Sequence, residues 1–179
     1  MHLHIELPER STVLASNRRR WKEVLSDPVL AEHGYRIETN AFGQIVMTPP
    51  ASGPHSSRQS EIAFRLRSMR GGRALVECPI STLDGVKAAD VGWYSDARYH
   101  GVRGQIVFET AAEICVEVMS PANSEAEMET KRRLYFDAGA IECWICDLQG
   151  QMTYYNDQAN KQPQTQSQLC PDFPTIIED

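Results

Sequence analysis

The run "AEICVEVMS", residues 112 to 120, constrains the fold more than any other stretch. Its apolar residues are nearly continuous, the pattern of a strand buried on both faces inside a parallel or mixed sheet. One carboxylate, Glu117, interrupts it. A buried, unpaired carboxylate is costly, so it neutralises, finds a cation or holds a metal. This strand therefore requires sheet neighbours, cover on both faces and something for Glu117 to face.

The flanking sequence supplies the rest of a mixed sheet. Residues 8 to 33 read as a helical arm that Pro28 divides. "YRIETN" and "QIVMTP" form a hairpin with Gly43 in the turn. A helix follows, with Pro54 in its first turn and Gly71-Gly72 at its end. Ile62, Leu66 and Met69 make its apolar stripe, which runs back through Gln59 and His55. "RALVECPISTL" and "VKAADVGWYS" are strands joined at Asp84-Gly85, and "DARYHGVRGQIVFET" reads as an irregular excursion. "NSEAEMETKRRLYFDAG" is a helix with Ser124 and Glu127 as a capping box and Gly139 past its end. "IECWICDL" and "QMTYYN" make a last hairpin around Gly150, before a polar tail and a final edge element.

The expected architecture is one α/β (α+β) domain over residues 1–179: a helical arm (1–33), a core (35–155) and a polar tail with an edge element (156–179). Its mixed central sheet is flanked by helices. A chain of 179 residues suits one core better than two. No run reaches the ~18 apolar residues of a membrane helix. "MHLHIELPER" lacks the basic and apolar segments of a signal peptide, so a cytoplasmic protein is expected. The formal charge of −6 weighs against tight non-specific DNA binding, and the basic clusters read as solvated helix faces. Five cysteines with no second pair or histidine cluster make neither a disulfide framework nor a zinc site. Cys143 and Cys146 fall on opposite faces of one strand.

Three charged residues occupy positions where the periodicity calls for burial. Glu117 is one. Alternation sets Asp90 beside Ala88 and Gly92 on one strand face. Lys131 falls in the stripe Met128, Lys131, Leu134, Tyr135, Ala138, while Arg132 and Arg133 rotate toward solvent. Two carboxylates on neighbouring strands with a lysine from a covering helix describe a divalent-metal site. Magnesium is commonly held by one or two carboxylates, with water and phosphate completing its shell. A lysine there orients water and offsets developing negative charge. The competing explanation is a buried Glu117–Lys131 ion pair with Asp90 capping a turn. A solvent-open cleft favours the first reading and a closed triad the second.

"ETNAFGQIVMTPPASGPH", "GVKAADVGWYS" and "EICVEVMSPANSEAEMETKRRLYFDAGAIECWICD" together resemble the bacterial "putative restriction endonuclease" family of the PD-(D/E)XK nuclease superfamily, over roughly residues 35 to 155. The resemblance implies a restriction-endonuclease-like core and magnesium-dependent hydrolysis of DNA, with Mn2+ as a substitute cation. Asp90 and Glu117 would be catalytic and metal-binding, Lys131 catalytic, and Glu38, His55 and Gln59 accessory. By analogy with nucleases of this fold, a homodimer is expected. Two positions depart from the superfamily pattern. Ala89 replaces the proline before the motif aspartate, and Met119 stands where a lysine is expected, which Lys131 would supply from the next helix. The alternative function is a catalytically inactive nuclease-fold module that binds nucleic acid or a protein.

Overall fold

In the computed structural model, residues 8–32, 35–156 and 162–178 are described. Five strands form the main sheet: β3 (Arg73–Thr82), β4 (Gly85–Tyr94), β5 (Ile114–Val118), β6 (Glu142–Cys146) and β7 (Met152–Tyr155), in the order β3-β4-β5-β6-β7. β5 lies at the centre, antiparallel to β4 and parallel to β6. The parallel pair is joined by the crossover helix α5 (Glu125–Asp137), and α3 (Gly53–Arg70) also packs against the sheet. Alternation along β5 divides the core. Val116 and Val118 pack with Ile62 and Leu66 of α3, and Cys115 packs with Tyr135 of α5. Cys143 and Cys146 fall in these two different cores, as the strand period requires, and all five cysteines are buried thiols outside any disulfide.

The arm is α1 (Arg10–Leu25) and α2 (Pro28–Glu32), separated at Pro28, with Asp27 Oδ1 accepting from Val29 N at 2.9 Å. It is packed down. Trp21 and Val24 share a small core with Val86 and Val107. The buried Asn17 amide donates to Ser81 Oγ and to Thr82 O, each at 2.9 Å, fixing α1 to the β3–β4 turn.

The hairpin of β1 (Arg36–Thr39) and β2 (Ile45–Thr48) is a separate two-stranded sheet. β4 pairs with β5 only at residues 91 to 93, leaving its first half without a strand neighbour on that side. β1 covers that half with side chains. Thr39 Oγ1 accepts from Val86 N at 2.9 Å and Glu38 Oε1 from Ala88 N at 3.1 Å, while Arg36 Nη2 donates to Ala88 O. Backbone groups that the ladder does not pair are thereby satisfied.

The structure corrects three sequence expectations. The excursion after β4 contains a helix, α4 (Asp96–Val102), started by Ser95, whose hydroxyl accepts from Arg98 N. Met69 is exposed, because the last turn of α3 lies where the chain turns through Gly71 and Gly72 into the edge strand β3. Arg132 does not rotate fully to solvent; its guanidinium lies 4.0 Å from the centre of the Tyr155 ring. The C-terminal segment lies along the edge strand β7, as expected, with Gln151 bridging Ile176, and it also sends Cys170, Phe173 and Ile177 into the core beside Trp144. Its anchor is buried Glu142, which accepts from Ser167 Oγ (2.6 Å), Gln168 N (2.7 Å), Leu169 N (2.8 Å) and Trp144 Nε1 (2.7 Å). Half of the expected capping box forms: Ser124 Oγ accepts from Glu127 N at 3.2 Å, while the Glu127 carboxylate accepts from the Asn123 amide.

Candidate active site

The site forms where two ladders open. The β3–β4 register runs through Val76–Val91 and resumes at Cys78–Ala89, leaving Glu77 and Asp90 opposite each other but outside the pairing. Glu77 has φ of 50°, a left-handed conformation rare for a residue with a side chain. The β4–β5 ladder ends at Val91–Val116, and one further step in that register sets Asp90 across from Glu117. Residues directly across an antiparallel pair share a face. Asp90 therefore stands at the register position between Glu77 and Glu117 on three adjacent strands.

Each carboxylate is held from a different direction. Asp90 Oδ2 accepts from Val118 N at 2.6 Å, in place of a ladder bond, and lies 3.4 Å from His55 Nε2 on α3. Asp90 Oδ1 lies 2.7 Å from Arg36 Nη1. One helical turn after His55, Gln59 Nε2 donates to Asp90 O at 2.8 Å and to Glu77 Oε1 at 3.0 Å, bridging the gap in the β3–β4 ladder. On the α5 side, Glu117 Oε2 accepts from Lys131 Nζ at 3.1 Å and Oε1 from the Tyr135 hydroxyl at 2.6 Å. Lys131 also donates to Glu38 Oε1 at 2.9 Å. Lys131 and Tyr135 reach one carboxylate because they are four residues apart on the helix.

Burial and charge act against each other here. Burial pushes Glu117 up to about 7, with Lys131 opposing the rise and Asp90 adding to it. Asp90 goes the other way: burial raises it, but the hydrogen bond from His55, the charge of Arg36 and the Val118 amide together hold it below the ordinary carboxylate range. The same hydrogen bond raises His55 above 6.5. Lys131 loses solvation on burial, yet Glu117 and Glu38 keep it firmly protonated.

The six residues anticipated from the sequence thus fall in two neighbouring clusters, Asp90 with His55 and Gln59, and Glu117 with Lys131 and Glu38. Among the described residues, no hydrogen bond or ion pair joins Lys131 to Asp90. The triad is closed and Glu117 pairs with Lys131, the outcome that favours a buried ion pair over an open cleft: Asp90 is 1% exposed, Glu117 6% and Lys131 8%. Sequence reasoning missed Arg36, Glu77 and Tyr135. Arg36 had a signal, since it precedes Glu38 by two and shares its strand face. Tyr135 read as an apolar stripe position, and nothing local marks Glu77. Among the described residues, no group of three or more His, Cys, Asp or Glu side chains forms a ready-made metal centre.

The mixed sheet flanked by helices, with an acidic residue at the opening of each central ladder, is a restriction-endonuclease-like fold. The Uma2 family, described as "Putative restriction endonuclease", matches residues 21–176. The chain belongs to that family, which makes a nuclease its functional class and nucleic acid its substrate class. Among solved structures, it is similar to a protein from Anabaena variabilis ATCC 29413 described as a putative nuclease belonging to DUF820. The TM-score is 0.60 at 21% identity, covering 72% of this chain and 74% of that one. This likeness supports the fold alone. No curated protein matches the chain. Among the described residues, no helix is long and apolar enough to cross a membrane.

Proposed function

We propose that this protein is a divalent-metal-dependent endonuclease that hydrolyses DNA phosphodiesters, with Asp90 and Glu117 holding Mg2+ or, as a substitute, Mn2+. The observation that carries the reading is Asp90 Oδ1. It is buried, is held by the Arg36 guanidinium at 2.7 Å rather than by a directed hydrogen bond, and belongs to the carboxylate set across from Glu117. Hard oxygen donors of this number suit magnesium, which leaves its remaining positions to water and phosphate. When bound, the cation would polarise the phosphodiester and activate water.

The protein's own groups do the positioning. Val118 N and His55 aim the Asp90 carboxylate, and Gln59 fixes its backbone. Tyr135 and Lys131 aim Glu117. Lys131, held between Glu38 and Glu117, orients the attacking water and offsets charge that develops on the phosphate oxygens. The protein acts in the cytoplasm, and a homodimer would bring two such sites to the two strands of a duplex. Magnesium titration with plasmid DNA tests the reading. Wild type nicks or linearises the plasmid as magnesium rises, and Asp90→Ala does not.

The closed triad favours a second reading, a nuclease-fold module that binds nucleic acid or protein without cleaving. DNA binding that survives Asp90→Ala, with no cleavage by wild type at any magnesium or manganese concentration, would establish it.

A further inference from the structure

Arg36 stands between two carboxylates that face each other across β3 and β4. Its Nη1 lies 2.7 Å from Asp90 Oδ1 and its Nε 2.8 Å from Glu77 Oε2. These are ion-pair separations, yet both Nε and Oδ1 are buried without a directed hydrogen bond. Hydrogen bonds weaken steeply off axis, so charge rather than direction holds the contact. The left-handed backbone of Glu77 breaks the alternation of β3 at this point, and its carboxylate meets both Arg36 and Gln59. Arg36 and Glu77 also line a cavity of about 680 Å3, together with Trp21, Tyr35 and Pro79.

We propose that Arg36 is a resident counter-cation for Asp90 and that Glu77 is its second seat. When a divalent cation binds Asp90, the guanidinium gives up Oδ1, keeps Glu77 and turns its freed face to the cavity. Arg36 and Glu77 are thus positioning residues that set how readily Asp90 takes up the cation. The inference rests on the metal reading of Asp90 and Glu117.

Mn2+ titration without DNA, followed by the melting temperature of the intact protein, tests it through a double-mutant cycle. Arg36→Gln removes the competitor and tightens Mn2+ binding about tenfold, a coupling of the size found between contacting residues. Glu77→Gln removes the second seat, leaves Arg36 on Asp90 and weakens binding. In the Arg36→Gln background, Glu77→Gln changes nothing, because no guanidinium remains to be held. Additive effects in the double mutant would show that Glu77 acts through its own charge, and unchanged affinity in Arg36→Gln would show no competition. Either result overturns the proposal. If Arg36→Gln does not fold, Arg36→Lys replaces it. That side chain is too short to span both carboxylates, so Glu77→Gln must then have no effect. Wild type that binds no Mn2+ overturns the metal reading and this proposal together, whereas an additive cycle on a wild type that binds overturns only this one.

Discussion

Lys131 is shared by Glu38 and Glu117, so replacing it changes both the chemistry and the balance of buried charge. Lys131→Met should lower cleavage by at least about 100-fold, the scale seen when one preorganised electrostatic donor is lost. Losing one partner of a buried pair costs about 3–5 kcal/mol. Here the cost should depend on pH, because Glu117, already pushed up to about 7, can escape by taking a proton. Urea melts at pH 6 and pH 8 check this, with the larger loss expected at pH 8. The wild-type apo protein carries the same signature. A carboxyl raised from 4.5 to about 7 contributes stability that is full below 4.5 and is lost as pH rises toward 7. His55, raised above 6.5, contributes stability that is full below 6.5 and lost as pH climbs through its folded value. Depressed Asp90 has the opposite sign and matters only as pH falls below 3.8. Metal-free protein should therefore melt at a lower temperature at pH 8 than at pH 5.5, and a flat profile would contradict these assignments.

At the scale of elements, the site depends on how the β1–β2 hairpin rests on β4. That docking leaves no room at Gly85. A Cβ there would lie 2.5 Å from both Asn40 O and Thr39 O, at a φ of +77°. Those oxygens belong to backbone, so they cannot yield without shifting the hairpin that carries Arg36 and Glu38. Gly85→Ala should cost about 1–3 kcal/mol and reduce cleavage although it touches no site residue. Gly53→Ala is the control, because its added Cβ meets nothing within 4 Å and φ is unexceptional. It should be neutral, or stabilising by about 0.4–1 kcal/mol through the unfolded chain. Chemical denaturation of the two variants side by side makes the comparison.

At the scale of the whole molecule, metal binding and folding are linked. The carboxylates of the site are repulsive without full charge compensation, and a ligand that binds only the folded state stabilises it. At one hundred times its dissociation constant the gain is about 2.7 kcal/mol. For a chain of this size that is a rise of roughly 5–10 °C in melting temperature. Magnesium or manganese should produce the rise in wild type and not in Asp90→Ala. No shift in wild type would remove the metal reading. The C-terminal segment ties the far end of the sheet into the same unit, since Phe173 and Ile177 share a core with Val116 and Val118 of β5.

Asp90, Glu117 and Lys131 were legible in the sequence because strand and helix periods are local. A charge at a position whose neighbours two, three or four residues away are apolar must face inward, and all three are buried. The α5 stripe, the Asp84-Gly85 turn and the opposite faces of Cys143 and Cys146 follow from the same local rules. The partners of those charges were not legible. Arg36 meets Asp90 and Glu77 only because β1 docks on an unpaired stretch of β4, and Glu77 faces Asp90 only through the register of β3 on β4. The polar tail concealed Glu142 as its anchor, because the donors that satisfy it lie about 25 residues away in sequence. Local pattern determined which side chains turn inward. Which of them meet, and whether they meet in a closed cluster or an open cleft, was decided by long-range register and docking, which no local period encodes.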